Sequence, residues 1–415
     1  MSSSSSHAAI IAAIRNGHNV FISGVGGCGK THLLKQLYAT LSCTNRCLLT
    51  STTGISAYNL GGVTVHSWCK IIIPKDIEDT QRWLDRLVAT LMKRRDTVRK
   101  YRDLQLLFLD EVSMLGANFM DVLNYVCKKI RNNSNPFGGI QLVLSGDMLQ
   151  LAPVQDDFPF ESVAWDTLNL KYFRLVKAWR FDNQRWVDLL TRARVGALIE
   201  EDKQLLQSRV VSKTHQATSN IRPIFLASTN KVVDGLNRVE LDKNLMEAVI
   251  FCAVDSPTAP VVLPFMADPT LTLKVGSQVM LLANLDVAAG FTNGSRGVVL
   301  DINTTGVEVM FEEGIKFIEP FLFQVEHKEQ NYTRLAIPLK LAFATSIHKS
   351  QSLTLSSVEM DIGKDVFCDG QSYVALSRCK SLDGLFIRSL DLSKIRPNPK
   401  ALAFETMFLK SCVDL

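Results

Sequence analysis

The sequence predicts an α/β protein of two doubly wound parallel-sheet domains, with a small basic insertion in the first and a small antiparallel β-barrel inserted in the second. Three observations predict it. Continuously apolar strands alternate with amphipathic helices through the N-terminal part of the chain, the signature of a parallel sheet covered on both faces. The same alternation returns towards the C-terminus, and between the two runs glycine turns separate short β segments at close spacing. At 415 residues the chain is too long for one compact core.

Taken in order, the serines at 2–6 read as a disordered tip and residues 8–14 as a short helix packed on the core. Asn19–Ser23 is a β-rich apolar run, and Leu33, Leu34, Leu37 and Leu41 recur at helical spacing after it. Arg46–Ser51 reads as a second strand, leading into a helix through Thr52-Thr53-Gly54. From 76 to 102 the alternation stops, and Trp83, Leu84, Leu87, Val88 and Leu91 mark an amphipathic helix that becomes strongly basic. The insertion is placed at 66–103. Leu104–Leu109 and Ile140–Asp147 are further buried strands, separated by a helix with Phe119, Leu123, Val126, Cys127 and Ile130 on one face. The first domain is expected to span 1–171 and the second 172–415, with strands at 223–227, 339–344, 357–362 and 384–388. The barrel is expected at 275–337, from the runs 278–282, 297–302, 307–311 and 317–321.

Composition excludes several classes. With 47% hydrophobic and 21% charged residues, the chain is globular rather than disordered. No apolar run approaches the roughly 18–20 residues of a membrane span. The nine cysteines are scattered, and only Cys43 and Cys47 are close, so structural zinc is not expected and reduced intracellular thiols are. The net charge of +5 is mild, but Lys93, Arg94, Arg95, Arg99, Lys100 and Arg102 crowd one stretch, which is either a solvated helix face or a nucleic-acid contact.

The chemistry begins at Gly24-Val25-Gly26-Gly27-Cys28-Gly29-Lys30-Thr31-His32. A glycine-rich loop between strand and helix curls backbone N–H groups round phosphates and adds the helix dipole. Lys30 then reaches the outer phosphates and the Thr31 hydroxyl ligates Mg²⁺. Gly24, Gly26, Gly27, Cys28, Gly29, Lys30, Thr31 and His32 are thus the residues expected to cradle a nucleoside triphosphate. Asp110-Glu111 ends the next buried strand, with Asp110 assigned to Mg²⁺ and Glu111 to the attacking water. Gln150, in Gly146-Asp147-x-x-Gln150, sits after a third strand and can sense the γ-phosphate.

These motifs carry a family resemblance. The phosphate loop, Thr53-Gly54…Gly61-Gly62-x-Thr64-x-His66-Ser67, Leu109-Asp110-Glu111-x-Ser113-Met114-Leu115 and Gly146-Asp147-x-x-Gln150-Leu151-x-Pro153-Val154 resemble the PIF-type, RecD-related branch of superfamily 1 helicases. The likeness continues through Leu273-Lys274-Val275-Gly276-x-Gln278-Val279-Met280, Asn293–Gly297, Ala344–Gln351 and Gly370-Gln371-x-Tyr373-Val374-Ala375-Leu376-Ser377-Arg378. It runs in the family's order from about residue 7 to 390.

The resemblance implies two RecA-like domains with ATP and Mg²⁺ between them, single-stranded DNA across their tops, and 5′-to-3′ stepping that opens forked DNA in replication, repair or recombination. It implies a wedge within 66–103 and a Src-homology-3-like barrel at 275–337. Lys30, Asp110, Glu111 and Gln150 carry over as catalytic residues, and Arg180 and Arg378 as two arginines approaching from the second domain. Thr53, His66, Ser67, Asn293, His348 and Lys349 resemble DNA contacts, while Trp68 and Phe343 either stack on bases or pack in the core. The family often works as a monomer, and a monomer is expected, although the sequence itself leaves oligomeric state open. The protein is expected to be intracellular and soluble, nuclear if eukaryotic or of a nuclear virus, with the mitochondrion as the alternative, and to lack the long N-terminal extension of many cellular members.

The chain departs from the pattern at three places. His7 stands about where the family places an adenine-reading glutamine, Arg180 is followed by Phe181 instead of glutamine, and Ser352 replaces a glycine. Two other functions remain open at this level: a DNA-stimulated translocase that strips proteins without separating strands, and a DNA-binding scaffold with a decayed ATP site.

Overall fold

The structure is a computed structural model, and it describes residues 2–74, 79–181, 183–211, 220–257, 267–327, 330–351 and 353–415. Ser352 and part of the expected insertion, residues 75–78, lie outside the described residues. The chain divides into two compact units. The first comprises Met1–Leu198, Cys368–Ser377 and Ile395–Leu415; the second comprises Ile199–Phe367 and Arg378–Lys394.

In the first unit the elements run α1 (Ser2–Arg15), β1 (Val20–Gly24), α2 (Lys30–Leu41), β2 (Cys47–Ser51), α3 (Gly54–Leu60), β3 (Val63–Thr64), α4 (Val65–Cys69), α5 (Thr80–Met92) and α6 (Arg95–Asp103). They continue with β4 (Leu106–Asp110), α7 (Ala117–Arg131), β5 (Gln141–Ser145), α8 (Val163–Thr167), β6 (Lys171–Leu175) and α9 (Gln184–Arg194). The backbone of α1 takes in the serines at 2–6, so the disordered tip expected there is helical instead. All seven strands of the sheet are parallel, in the order Val413–Asp414, β6, β1, β5, β4, β2, β3.

The alternation of side chains along each strand explains why these strands are apolar throughout. Val20, Ile22, Leu106, Phe108 and Val143 point to the face covered by Ile10 and Ile14 of α1 and by Leu33, Leu34, Leu37 and Leu41 of α2. Phe21, Leu107, Leu109, Leu142 and Leu144 point to the other face, where α7 buries Phe119, Leu123, Val126 and Ile130.

The division differs from the expected boundary at 171/172. Strand β6 pairs with β1 from Val20↔Lys171 to Gly24↔Leu175, so this segment belongs to the first sheet. The C-terminal helix Pro399–Leu409 also returns to it. Phe404 and Phe408 meet Phe21 edge-on at 6.1 and 5.7 Å, which ties the chain's end to the first core. The basic insertion is packed rather than detached: Val88, Leu91 and Tyr101 join the same core, and Arg131 Nη1 donates to the carbonyls of Tyr101, Arg102 and Leu104 at the end of α6.

The second unit holds a four-stranded parallel sheet ordered Ala344–Ser346, Ile224–Ala227, Val358–Ile362, Leu385–Leu390. A five-stranded antiparallel sheet runs from Gly314–Ile318 through Val307–Phe311, Arg296–Ile302 and Gln278–Leu281 to Leu339–Leu341, around Val279, Leu281, Val299, Val309 and Phe311. Two expected strands are thereby split. Leu339–Leu341 pairs with Gln278–Leu281 in the antiparallel sheet, whereas Ala344–Ser346 joins the parallel one. The expected 317–321 run divides between Gly314–Ile318 and Phe321–His327, the latter pairing with Gln330–Ala336 in a separate sheet. Among the described residues, no helix is long and apolar enough to cross a membrane.

Candidate active site

Parallel strands bring their carboxyl ends to one edge, and the first unit places three motifs there. The loop after β1 turns through Gly27 at φ +81° and Gly29 at φ +89°, left-handed conformations that glycine adopts without strain. It delivers the chain into α2, whose first-turn N–H groups have no intrahelical acceptor and face the loop. Lys30 Nζ donates to the Gly24 and Val25 carbonyls at 2.7 and 3.2 Å, which holds the ammonium inside the loop's curl. The geometry is that of an anion cradle.

Strand β4 ends at Asp110, and Thr31 Oγ1 donates to Asp110 Oδ2 at 2.6 Å. Burial, and then the neighbouring Glu111 carboxylate, push the Asp110 carboxyl above its ordinary value, against hydrogen bonds from Thr31, the Glu111 amide and Ser145. Glu111 follows in a left-handed conformation at φ +53°, unusual for a side-chain-bearing residue. Two hydrogen bonds fix it there: its N–H donates to Asp110 Oδ1 at 3.0 Å and its carbonyl accepts from Thr52 Oγ1 at 3.0 Å. The hydroxyl and carboxylate oxygens of Thr31 and Asp110 form a hard-oxygen pair that suits Mg²⁺ held jointly with phosphate oxygens. Among the described residues there is no cluster of three or more His, Cys, Asp or Glu side chains able to hold a metal by themselves.

After β5, Gln150 is buried and its Nε2 donates to Asp147 Oδ2 at 3.4 Å. Beyond β6, the Trp179 and Arg180 amides both donate to the Gly27 carbonyl, at 2.9 and 3.2 Å. A Cβ on Gly27 would stand 2.5 Å from Arg180 Cβ. Gly27→Ala is therefore expected to displace the Trp179–Arg180 segment and to cost about 1–3 kcal/mol in urea unfolding, from the left-handed backbone plus the overlap. An unchanged midpoint would mean the loop yields freely.

A family model described as PIF1-like helicase matches residues 4–200, and one described as DNA helicase Pif1, 2B domain, matches residues 260–302. The ATP-dependent DNA helicase PIF1 of Homo sapiens is 35% identical over 414 residues, covering 97% of this chain and 63% of that protein. Along nearly its whole length the chain is thus similar to PIF1-like helicases. Its fold agrees: the Pif1 helicase from Candida albicans superposes with a TM-score of 0.80 at 29% identity, covering 97% of this chain and 98% of that one. Bacteroides sp Pif1 in complex with ADP-AlF4 gives 0.81 at 26% identity, covering 98% and 96%. The chain spans less than two thirds of the length of the curated PIF1 relatives it matches, 63% for the human protein and 62% for that of Danio rerio.

Within this PIF1-like frame the expected site residues divide between the units. Lys30, Thr31, Asp110, Glu111, Gln150 and Arg180 all belong to the first. Arg180 is therefore not supplied by the second unit, because the first continues through β6 and α9 as far as Leu198. Arg378 does lie in the second unit, 2% exposed, with Nη1 donating to the Ser350 carbonyl at 3.4 Å.

Of the expected DNA contacts, Thr53, His66 and Ser67 lie in the first unit. Thr53 caps α3 by accepting the Ser56 amide, and the Ser67 amide donates to Thr64 Oγ1 at the start of α4. The His66 ring lies 4.2 Å from that of Phe119, and desolvation holds its pKa below the usual value. Asn293, His348 and Lys349 lie in the second unit. Lys349 is exposed and His348 half-buried, its pKa also lowered by desolvation. Trp68 is 8% exposed and packs on Tyr101 at 4.9 Å, which makes it a core residue; Phe343 is half-buried. His7 is a half-buried residue of α1.

One further aromatic was not singled out from the sequence. Trp179 is 64% exposed, its Cδ1 would lie 3.6 Å from a Cβ on Gly29, and Lys177 Nζ stands 3.8 Å from its ring centroid. Its position immediately before Arg180 was the available signal.

Proposed function

We propose that this chain is an ATP-dependent DNA helicase that moves 5′-to-3′ along single-stranded DNA and separates duplexes at forks. The observation that carries the reading is the meeting, at one sheet edge, of the Lys30 loop, the Thr31–Asp110 pair, Glu111 and Gln150. Relatives support the DNA half of it: solved Bacteroides Pif1 is described as bound to ssDNA, and another Pif1 structure concerns unwinding at forked dsDNA.

In this reading Lys30 and the helix α2 N-terminus hold the β- and γ-phosphates. Thr31 and Asp110 would hold Mg²⁺, which would supply charge neutralisation at the phosphate oxygens. Glu111 orients a water for attack on the γ-phosphorus and accepts its proton as the bond to the bridging oxygen breaks. Gln150 bonds the γ-phosphate or that water, and Arg180 stabilises the dispersed charge. Arg378 is assigned to the same hydrolysis step through its place in the family's motif. The exposed Trp179 indole offers a stacking face for the base. Thr53, His66, Ser67, Asn293, His348 and Lys349 are assigned to the DNA strand. The protein is assigned to nuclear or mitochondrial DNA transactions and acts as a monomer.

The test is ATP hydrolysis with and without single-stranded DNA, combined with unwinding of duplexes carrying a 5′ or a 3′ tail. Hydrolysis stimulated by DNA, with opening of the 5′-tailed duplex, is expected. Stimulation without opening would replace helicase by translocase, and preferential opening of the 3′-tailed duplex would reverse the polarity.

A further inference from the structure

A buried charge cluster in the first unit takes no part in the chemistry above. Asp147 follows β5, Arg194 closes α9, Glu405 lies on the helix Pro399–Leu409 and Tyr373 on the helix Gln371–Leu376. Arg194 Nε and Nη2 both donate to Asp147 Oδ1, at 3.0 and 2.8 Å, and Nη1 donates to Glu405 Oε1 at 2.7 Å. That leaves Asp147 Oδ2 for the Tyr373 hydroxyl at 3.2 Å and for Gln150 Nε2 at 3.4 Å.

The Tyr373 oxygen also accepts the Gly26 amide, at 3.0 Å, from inside the phosphate loop. The direction of these bonds is fixed by charge. Burial works to raise the Asp147 carboxyl, but the Arg194 and Lys30 charges overcome it and hold the group below its ordinary value. Asp147 is therefore an ionised acceptor with no proton to give. The Tyr373 hydroxyl must donate to it, and a lone pair of the phenol is left facing the Gly26 N–H. Phenylalanine would fill the same volume and do neither.

We propose that Tyr373 is a positioning residue for the phosphate loop. Its hydroxyl joins the Gly26 amide to Asp147, with Arg194 and Glu405 holding that carboxylate still, so that the loop is set for nucleotide before nucleotide arrives. The same Asp147 oxygen carries Gln150, so loop shape and the γ-phosphate sensor share one anchor. The inference rests on the nucleotide-site reading above and adds to it a residue that touches neither phosphate nor water.

The experiment compares the full chain with Tyr373→Phe, by calorimetric titration with ADP and by steady-state ATP hydrolysis on saturating single-stranded DNA. Losing the bond to the Gly26 amide should weaken ADP binding and raise the KM for ATP about three- to tenfold with kcat nearly unchanged, while the thermal midpoint falls by a few degrees because the buried bond to Asp147 goes with it. ADP affinity and KM equal to those of the wild type would overturn the proposal. Parallel falls in affinity, kcat and thermal midpoint would also overturn it, since the hydroxyl would then act only in stability. A wild-type chain that itself bound no ADP would instead remove the nucleotide reading, and the inference with it.

Discussion

Lys30→Ala is expected to lower the rate of ATP hydrolysis about 10²–10³-fold, the scale seen when one preorganised donor to developing charge is removed. The reason is local. Lys30 Nζ is held by two carbonyls of its own loop, Gly24 and Val25, so it presents a fixed cation to the outer phosphates of the proposed nucleotide. Alanine removes that cation and leaves both carbonyls lining the cradle, a double loss for an anion. Single-stranded DNA affinity should stay within about twofold, because none of Thr53, His66 and Ser67 is bonded to Lys30. Phosphate release and fluorescence anisotropy on a labelled strand measure the two effects separately. Equal loss of both would mean that the substitution unfolds the first unit rather than disabling its chemistry.

What could be read from the sequence depended on whether a residue's role is local. Leu106–Leu109 is apolar at every position because both faces of the sheet are covered, so strand and class are visible together. Gly24–Thr31, Asp110-Glu111 and Gln150 lie where strands end, and a short motif carries its own context. β6 was different. Its residues alternate Lys171, Tyr172, Phe173, Arg174, Leu175, with only Phe173 fully buried, and nothing in that pattern says which sheet it joins. Val413–Asp414 is two residues long and has no signal of its own. These two strands carry the chain's later parts back to the first sheet, which is why Arg180 was assigned to the wrong unit. The run 339–346 hid a change of sheet for a related reason: an apolar stretch records burial, not the partner that provides it. Asp147 and Tyr373 are 226 positions apart and Arg194 and Glu405 are 211 apart, so their contact was beyond any spacing rule.

That cluster supports the second large prediction. Arg194→Met is expected to destabilise the first unit by about 3–5 kcal/mol, the usual cost of removing one partner from a buried ion pair. The thermal midpoint should fall by roughly 6–20 °C. Arg194, Asp147 and Glu405 side chains are 6%, 0% and 5% exposed, so water cannot replace the guanidinium. Methionine matches much of its length but leaves two buried carboxylates without the cation they share. Replacing Glu405 by leucine in the same chain should recover part of the loss, since one stranded charge disappears with it. The pH dependence has a definite sign. In the wild type the Asp147 carboxyl is depressed, so its stabilisation is present at neutral pH and is lost as pH falls through the folded value. In Arg194→Met the largest charge holding it down is gone and burial pushes it up, so acid neutralises a destabilising charge instead. The gap between wild type and variant should therefore narrow as pH is lowered from 7 towards 5, followed by thermal unfolding at each pH. A gap that stays constant would show that Arg194 contributes packing alone.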